Sequence, residues 1–205
     1  MKTIAIVIFD EFTDIDYFLM RDIFGREKQA WKVRVLGTKA VHVSALGQEV
    51  KTDGPLSDAA DADAVLFTSG QKGIPAALAD PAFTGALQLN PEKQLLGSVC
   101  AGSFILHKLG LLEGLRSTTH PDAMANFRAE GAEPENTPIV IAGNIGTAGG
   151  CLSAMYLTGW VAQRLCDDNK RREIHRQLIP GGQEALFEEL ISQTLAGAYT
   201  IPETP

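Results

Sequence analysis

Apolar positions along this chain fall in compact blocks separated by short polar or glycine-bearing connections. Residues 4–9, Ile-Ala-Ile-Val-Ile-Phe, form an unbroken apolar run that stops at Asp10 and Glu11. Such a run fits a strand buried on both faces, as in a parallel sheet. Behind it, Thr13 or Asp14 is placed to cap a helix with Ile15, Phe18, Leu19 and Ile23 as its apolar face. Residues 33–36, closed by Gly37, predict a second strand, and 41–50, with Gly47 at the turn, predict a hairpin. Residues 64–67 are the next buried run and lead into the small-residue loop 68–73. Two short helices, broken near Pro81, are expected over 74–90. Residues 95–99 predict a strand that passes directly into a helix ending at Leu109. Pro121 suits the first turn of a helix over 121–129. Residues 139–142 and 144–147 read as a strand pair turning at Gly143-Asn144. Gly149-Gly150 opens a long helix with Leu152, Met155, Tyr156, Trp160 and Val161 at helical spacing. A last amphipathic helix is expected over 183–196, followed by a Pro-rich tail at 199–205.

Strands alternating with helices through short connections predict an α/β fold with three layers and a mostly parallel central sheet. With no repeat or linker in view, residues 1–198 read as one domain. In such folds ligands bind at the carboxyl ends of the strands. Three segments reach that edge: 9–16, 68–73 and 99–102.

Composition narrows the partners. The chain has 205 residues, a formal charge of −7 and ordinary hydrophobic and charged fractions of 45% and 21%. An acidic balance argues against a nucleic-acid surface or an anionic membrane as partner. The apolar start carries one lysine and is followed at once by acids, so it reads as a strand rather than a secretion signal. The three cysteines, Cys100, Cys151 and Cys166, show neither metal spacing nor an even disulfide framework. A reduced, cytoplasmic protein without a metal or cofactor is the expectation.

Chemistry concentrates at residues 97–102, Gly-Ser-Val-Cys-Ala-Gly. Cys100 sits where strand turns into helix, and Gly102 follows where a side chain would crowd the turn. The helix dipole favours a thiolate there, and free N–H groups of the first turn can bind an anion. The plain alternative is a small buried core residue. Asp16 falls in a first helical turn, where the dipole alone favours acids. Cys151 begins a helix beside Gly149-Gly150 and reads as a packed small residue, with a second reactive thiol as the alternative. Cys166, at a helix end, has no assigned role. His107 lies seven residues beyond Cys100, roughly 10 Å along a helix and too far for proton transfer. His42 and His175 read as solvated, and Lys170-Arg171-Arg172 as a solvated charged face. Gly143-Asn144-Ile145-Gly146 lacks the rest of a phosphate loop.

Three quoted runs together carry a family resemblance: residues 98–103, Ser-Val-Cys-Ala-Gly-Ser; 110–114, Gly-Leu-Leu-Glu-Gly; and 117–120, Ser-Thr-Thr-His. Over roughly residues 3–165 the chain resembles the ThiJ/PfpI superfamily, which includes the parkinsonism-associated deglycase and the isonitrile hydratases. The resemblance implies a flavodoxin-like fold and a homodimer. It also implies a nucleophilic or oxidisable Cys100, with Asp16 as the acid beside it and an anion pocket from the N–H groups of Gly70 and Ala101. His120 is expected either to line the pocket or only to satisfy backbone groups, and Gly149-Gly150 to belong to a loop closing the site. Of the family's Pro-Gly-Gly loop only Gly70 is retained, in Thr68-Ser69-Gly70. Ala101 stands where peptidase members carry His, and Pro121 where isonitrile hydratases carry Trp. The implied activity is attack on a small electrophile by Cys100, as in isonitrile hydration or glyoxalase/deglycase chemistry, with Asp16 handling the proton. The alternative is a redox-sensing or protective protein with an oxidisable Cys100 and no turnover.

Overall fold

The computed structural model describes residues 1–199. Its elements run β1 (Lys2–Val7), α1 (Asp14–Gly25), β2 (Trp31–Gly37), β3 (Val41–Val43), β4 (Glu49–Lys51), β5 (Gly54–Pro55), β6 (Ala64–Phe67), α2 (Gly73–Ala79), α3 (Pro81–Ala86), β7 (Leu95–Val99), α4 (Ser103–Lys108), α5 (Met124–Ala129), β8 (Ile139–Ala142), β9 (Ile145–Ala148), α6 (Ala154–Leu165), α7 (Asp168–Arg176) and α8 (Glu184–Gly197). A seven-stranded sheet has the order β5-β2-β1-β6-β7-β9-β8. All its neighbours pair in parallel except the β8–β9 hairpin at one edge. Helices flank the sheet, giving the α/β flavodoxin-like sandwich. The apolar runs of β1, β6 and β7 are buried along nearly their whole length because helices cover both faces. No described helix is long and apolar enough to cross a membrane. Beyond Tyr199, which bridges to Ile141, the expected tail lies outside the described residues.

The chain departs from its hydrophobic pattern where polar groups turn inward. On α1 the buried residues are Asp16, Tyr17, Met20, Ile23 and Phe24. Ile15 and Phe18, expected in the core, are each 45% exposed. The inward face starts with an acid, so the helix is rotated relative to the one that apolar residues alone suggest. Nor does Thr13 cap α1 through its side chain; Asp14 instead accepts from Ser44 Oγ and from the N–H of Leu46 in the β3–β4 hairpin. Leu152, assigned above to the inner face of the long helix, lies in the turn before α6 and is 74% exposed. Below it Tyr156, Leu157, Trp160 and Val161 are buried.

Three assignments to solvent are corrected. Arg171 is fully buried: Nε donates to Asp168 Oδ1 at 2.6 Å and the other guanidinium nitrogens to Glu188. It ties α7 to α8, and α6 packs against both. His175, one helical turn on, is also fully buried, its Nε2 lying 3.5 Å from Thr158 Oγ1 of α6. His42 is buried with Nδ1 2.8 Å from Asp10 Oδ1. Burial alone would raise Asp10, but hydrogen bonds from Lys39 and His42 prevail and hold it at about 2.

Burial first, then the positive charge of Arg171, pull His175 down to about 4 from its ordinary 6.5. A histidine buried neutral contributes its stability in full above its unfolded pKa and loses it as pH falls toward the folded one. Urea unfolding is therefore expected to lose on the order of 2–3 kcal/mol between pH 6.5 and 4 through this residue. His175→Gln should remove that part of the pH dependence, and an unchanged slope in the variant would contradict it. Asp10 and Asp168, held at about 2 from 3.8, act below this window, and Glu27, held at about 2 from 4.5, overlaps only its lower end.

Candidate active site

Cys100 stands at the carboxyl end of β7, beside the carboxyl end of β6 and one strand further from that of β1. The chain leaves the strand at Val99 and enters a tight turn, Cys100–Gly102, before α4. Cys100 has φ +51°, the left-handed region that costs a side-chain-bearing residue on the order of 1–2 kcal/mol. The surroundings hold it there. Its carbonyl accepts from Thr119 Oγ1 at 3.3 Å and Ser103 Oγ at 3.4 Å. Gly102 lets the turn approach the end of β6: a Cβ there would lie 2.8 Å from the Thr68 carbonyl oxygen and 3.0 Å from that of Phe67.

Asp16 reaches the same point from α1. It is fully buried, and the Cys100 thiol is 3.5 Å from its Oδ1. Ser69 Oγ donates to the other oxygen, Oδ2, and the Ser69 carbonyl accepts from the N–H of Thr13 at 2.7 Å. The loop after β6 thus fixes both the start of α1 and the direction of its carboxyl group. Gly70 completes that junction: a Cβ would lie 2.4 Å from the Glu11 carbonyl oxygen, so only glycine fits.

A third side chain enters from the turn after β9. Cys151 Sγ is 3.3 Å from Cys100 Sγ, and the donor atoms of Asp16, Cys100 and Cys151 all lie within 4.8 Å of one another. Gly150, at φ +125°, provides the backbone reversal that brings Cys151 in. Gly149 packs on the Thr118-Thr119 segment: a Cβ would lie 2.7 Å from Thr118 Oγ1 and 2.6 Å from the Thr137 carbonyl. Of the two readings of Cys151, packed small residue or second reactive thiol, neither brings it to Cys100, which is where the structure places its sulfur. The signal was available in its place directly after the glycine pair expected to close the site.

The electrostatics correct the expectation of a dipole-stabilised thiolate. The adjacent Cys151 sulfur, burial and the charge of Asp16 together push the Cys100 thiol well above the ordinary cysteine range. These influences all favour the protonated thiol of Cys100, which stands 3.5 Å from Asp16 Oδ1.

The other expected residues take separate places. Ala101 lies in the first turn after β7, where backbone N–H groups have no acceptor within their own helix. In Thr118-Thr119-His120 the roles are divided. The N–H of Thr118 donates to Thr147 Oγ1 of β9, Thr119 holds Cys100, and His120 Nδ1 accepts the N–H of Asp122 as a helix cap. Among the described residues the His120 ring makes no hydrogen bond to Cys100 or Asp16. His107 Nε2 lies 2.9 Å from the Glu130 carbonyl oxygen, away from the cluster. Cys166 is exposed. Gly143, at φ +61°, is the hairpin turn between β8 and β9.

Residues 2–164 match the profile described as the DJ-1/PfpI family. Among curated proteins no sequence matches. Solved structures do. A ThiJ/PfpI family protein from Pseudomonas syringae is 19% identical, with 96% of this chain and 88% of that one covered and a TM-score of 0.78. A DJ-1 superfamily protein from Salmonella typhimurium is 23% identical, with 87% and 98% covered and a TM-score of 0.76. Schizosaccharomyces pombe DJ-1 is 18% identical, with 88% and 100% covered and a TM-score of 0.73. At these identities the structures share the fold with this chain.

Proposed function

The chain belongs to the DJ-1/PfpI family, and we propose that within it this protein is a cysteine-dependent enzyme acting on a small electrophile. The observation that carries the reading is the buried Cys100 thiol set 3.5 Å from Asp16 Oδ1 on a strained strand-to-helix turn. A neutral thiol is a poor nucleophile, but one that loses its proton as it attacks needs no standing thiolate. The Cys100 sulfur bonds to the electrophilic carbon while its proton passes to Asp16. Asp16 then returns the proton to the adduct. For an isonitrile the adduct is a thioimidate, which water converts to a formamide. For a 2-oxoaldehyde it is a thiohemiacetal. The N–H groups of Gly70 and Ala101 are the groups assigned to the developing negative charge. Their loops meet where Thr68 packs on Gly102.

Cys100 is only 3% exposed, which restricts the substrate to a small molecule. The same closure favours a second reading, a redox-responsive protein in which Cys100 meets peroxide and no substrate turns over. A cytoplasmic location, with thiols kept reduced, belongs to both readings. So does a homodimer, supported by Ile15 and Phe18, which expose apolar surface three residues apart on α1 beside Asp16. Light scattering at micromolar concentration should give a dimer that Phe18→Asp weakens; a monomeric wild type would contradict it.

Steady-state assays with an isonitrile and with methylglyoxal test the enzyme reading. Cys100→Ser should lower kcat/KM by more than about 10³-fold and Asp16→Asn by about 10²–10⁴-fold. Asp16→Asn should also move the midpoint of Cys100 alkylation by a small haloacetamide to lower pH, because the charge that opposes the thiolate is gone. Loss of turnover with faster alkylation separates a proton acceptor from a residue that merely holds the fold. Equal turnover in all three proteins would contradict the reading.

A further inference from the structure

We propose that Cys100 and Cys151 form a reversible dithiol–disulfide couple in which Cys100 reduces a hydroperoxide and Cys151 resolves the product. The proposal rests on Cys100 being the reactive thiol, and adds an activity that the carboxyl–thiol pair alone does not have. Two of the three cysteines, from turns 51 residues apart, bring their sulfurs to 3.3 Å. Thiolates sharing one tetrahedral metal stand farther apart, about 3.8 Å for sulfurs 2.3 Å from the ion. The observed spacing is that of two thiols in direct contact. Closing to a disulfide bond of about 2.05 Å requires a movement of little more than about 1 Å. Cys151 follows Gly149-Gly150 and precedes the exposed Leu152, so its side of the pair is the one free to adjust.

The chemistry balances with a hydroperoxide as oxidant and an external dithiol as reductant. The Cys100 sulfur attacks the terminal peroxide oxygen and the O–O bond breaks. The thiol proton, accepted by Asp16, passes to the leaving oxygen as water or an alcohol. Cys100 is then a sulfenic acid, two electrons more oxidised. The Cys151 sulfur attacks the Cys100 sulfur, the S–O bond breaks, and hydroxide leaves with the Cys151 proton as water. The external dithiol attacks the disulfide, and both protein thiols return as the reductant is oxidised. Cys151 is partly exposed and Cys100 almost sealed, so the incoming thiol meets the Cys151 sulfur first. While the disulfide stands, Cys100 is neither available to an electrophile nor open to irreversible oxidation.

Intact mass and non-reducing peptide mapping after graded hydrogen peroxide, with and without a chelator, test the couple. Wild type should lose two hydrogens, yield a peptide joining Cys100 to Cys151, and revert fully with dithiothreitol. Cys151→Ser should instead add one and then two oxygens at Cys100, and dithiothreitol should not reverse the second. Two oxygens at Cys100 in both proteins, with no joined peptide, would overturn the proposal. So would thiols that resist peroxide until the chelator is added, since a thiophilic cation would then occupy the cluster. Turnover of an electrophile that depends on Cys100, without cross-linking, would overturn the couple alone. A Cys100 inert to both peroxide and electrophile would overturn the enzyme reading as well.

Discussion

The hydrogen bond between the Cys100 thiol and the Asp16 carboxyl group sets what the neighbouring chain must supply. Both groups are buried, and a buried carboxylate without partners is costly by several kcal/mol. Ser69 occupies its second oxygen and also fixes the helix that carries it. The thiol is aimed by a backbone conformation that side-chain-bearing residues avoid, held by two hydroxyls on its carbonyl and by close packing against the end of β6. These supports come from the connections after β6, after β7 and between α4 and α5, so the site exists only once the parallel sheet has brought those segments to one edge.

This dependence explains which parts were legible in the sequence. Buried parallel strands carry runs too apolar to mistake, and β6 and β7 begin and end where the runs predict. Glycine and proline punctuation placed the β3–β4 hairpin, the break at Pro81 and the β8–β9 turn. The cysteine turn itself was legible because a strand, a small residue pair and a helix follow one another without a loop.

The misreadings share one physical cause. Apolar patterning assumes that polar side chains face water, whereas Asp16, Arg171, His175 and His42 face inward with partners distant in sequence. Asp16 meets Cys100 across 84 positions and Arg171 meets Glu188 across 17. On α1 the inward acid shifted the inferred face by one residue. On α7 the buried Arg171 and His175 made the inner face look like a solvated one. For Cys151 the sequence carries only the hint of its place after the glycine pair, because its turn meets that of Cys100 only across β7 and β9. For His120 the motif left open whether it lines the pocket or only satisfies backbone groups, and its Nδ1 accepts the N–H of Asp122 as a helix cap.

The upward push on the Cys100 thiol distinguishes this site from one built around a standing thiolate, and in the proposed enzymatic and oxidative chemistries alike the first step is transfer of the Cys100 proton to Asp16. The most direct test is the infrared S–H stretch of Cys100 at neutral pH, read as the difference between wild type and Cys100→Ala. A strongly hydrogen-bonded S–H band that moves toward the free-thiol position in Asp16→Asn is predicted. Absence of any S–H band from Cys100 in the wild type, the mark of a thiolate, would contradict it.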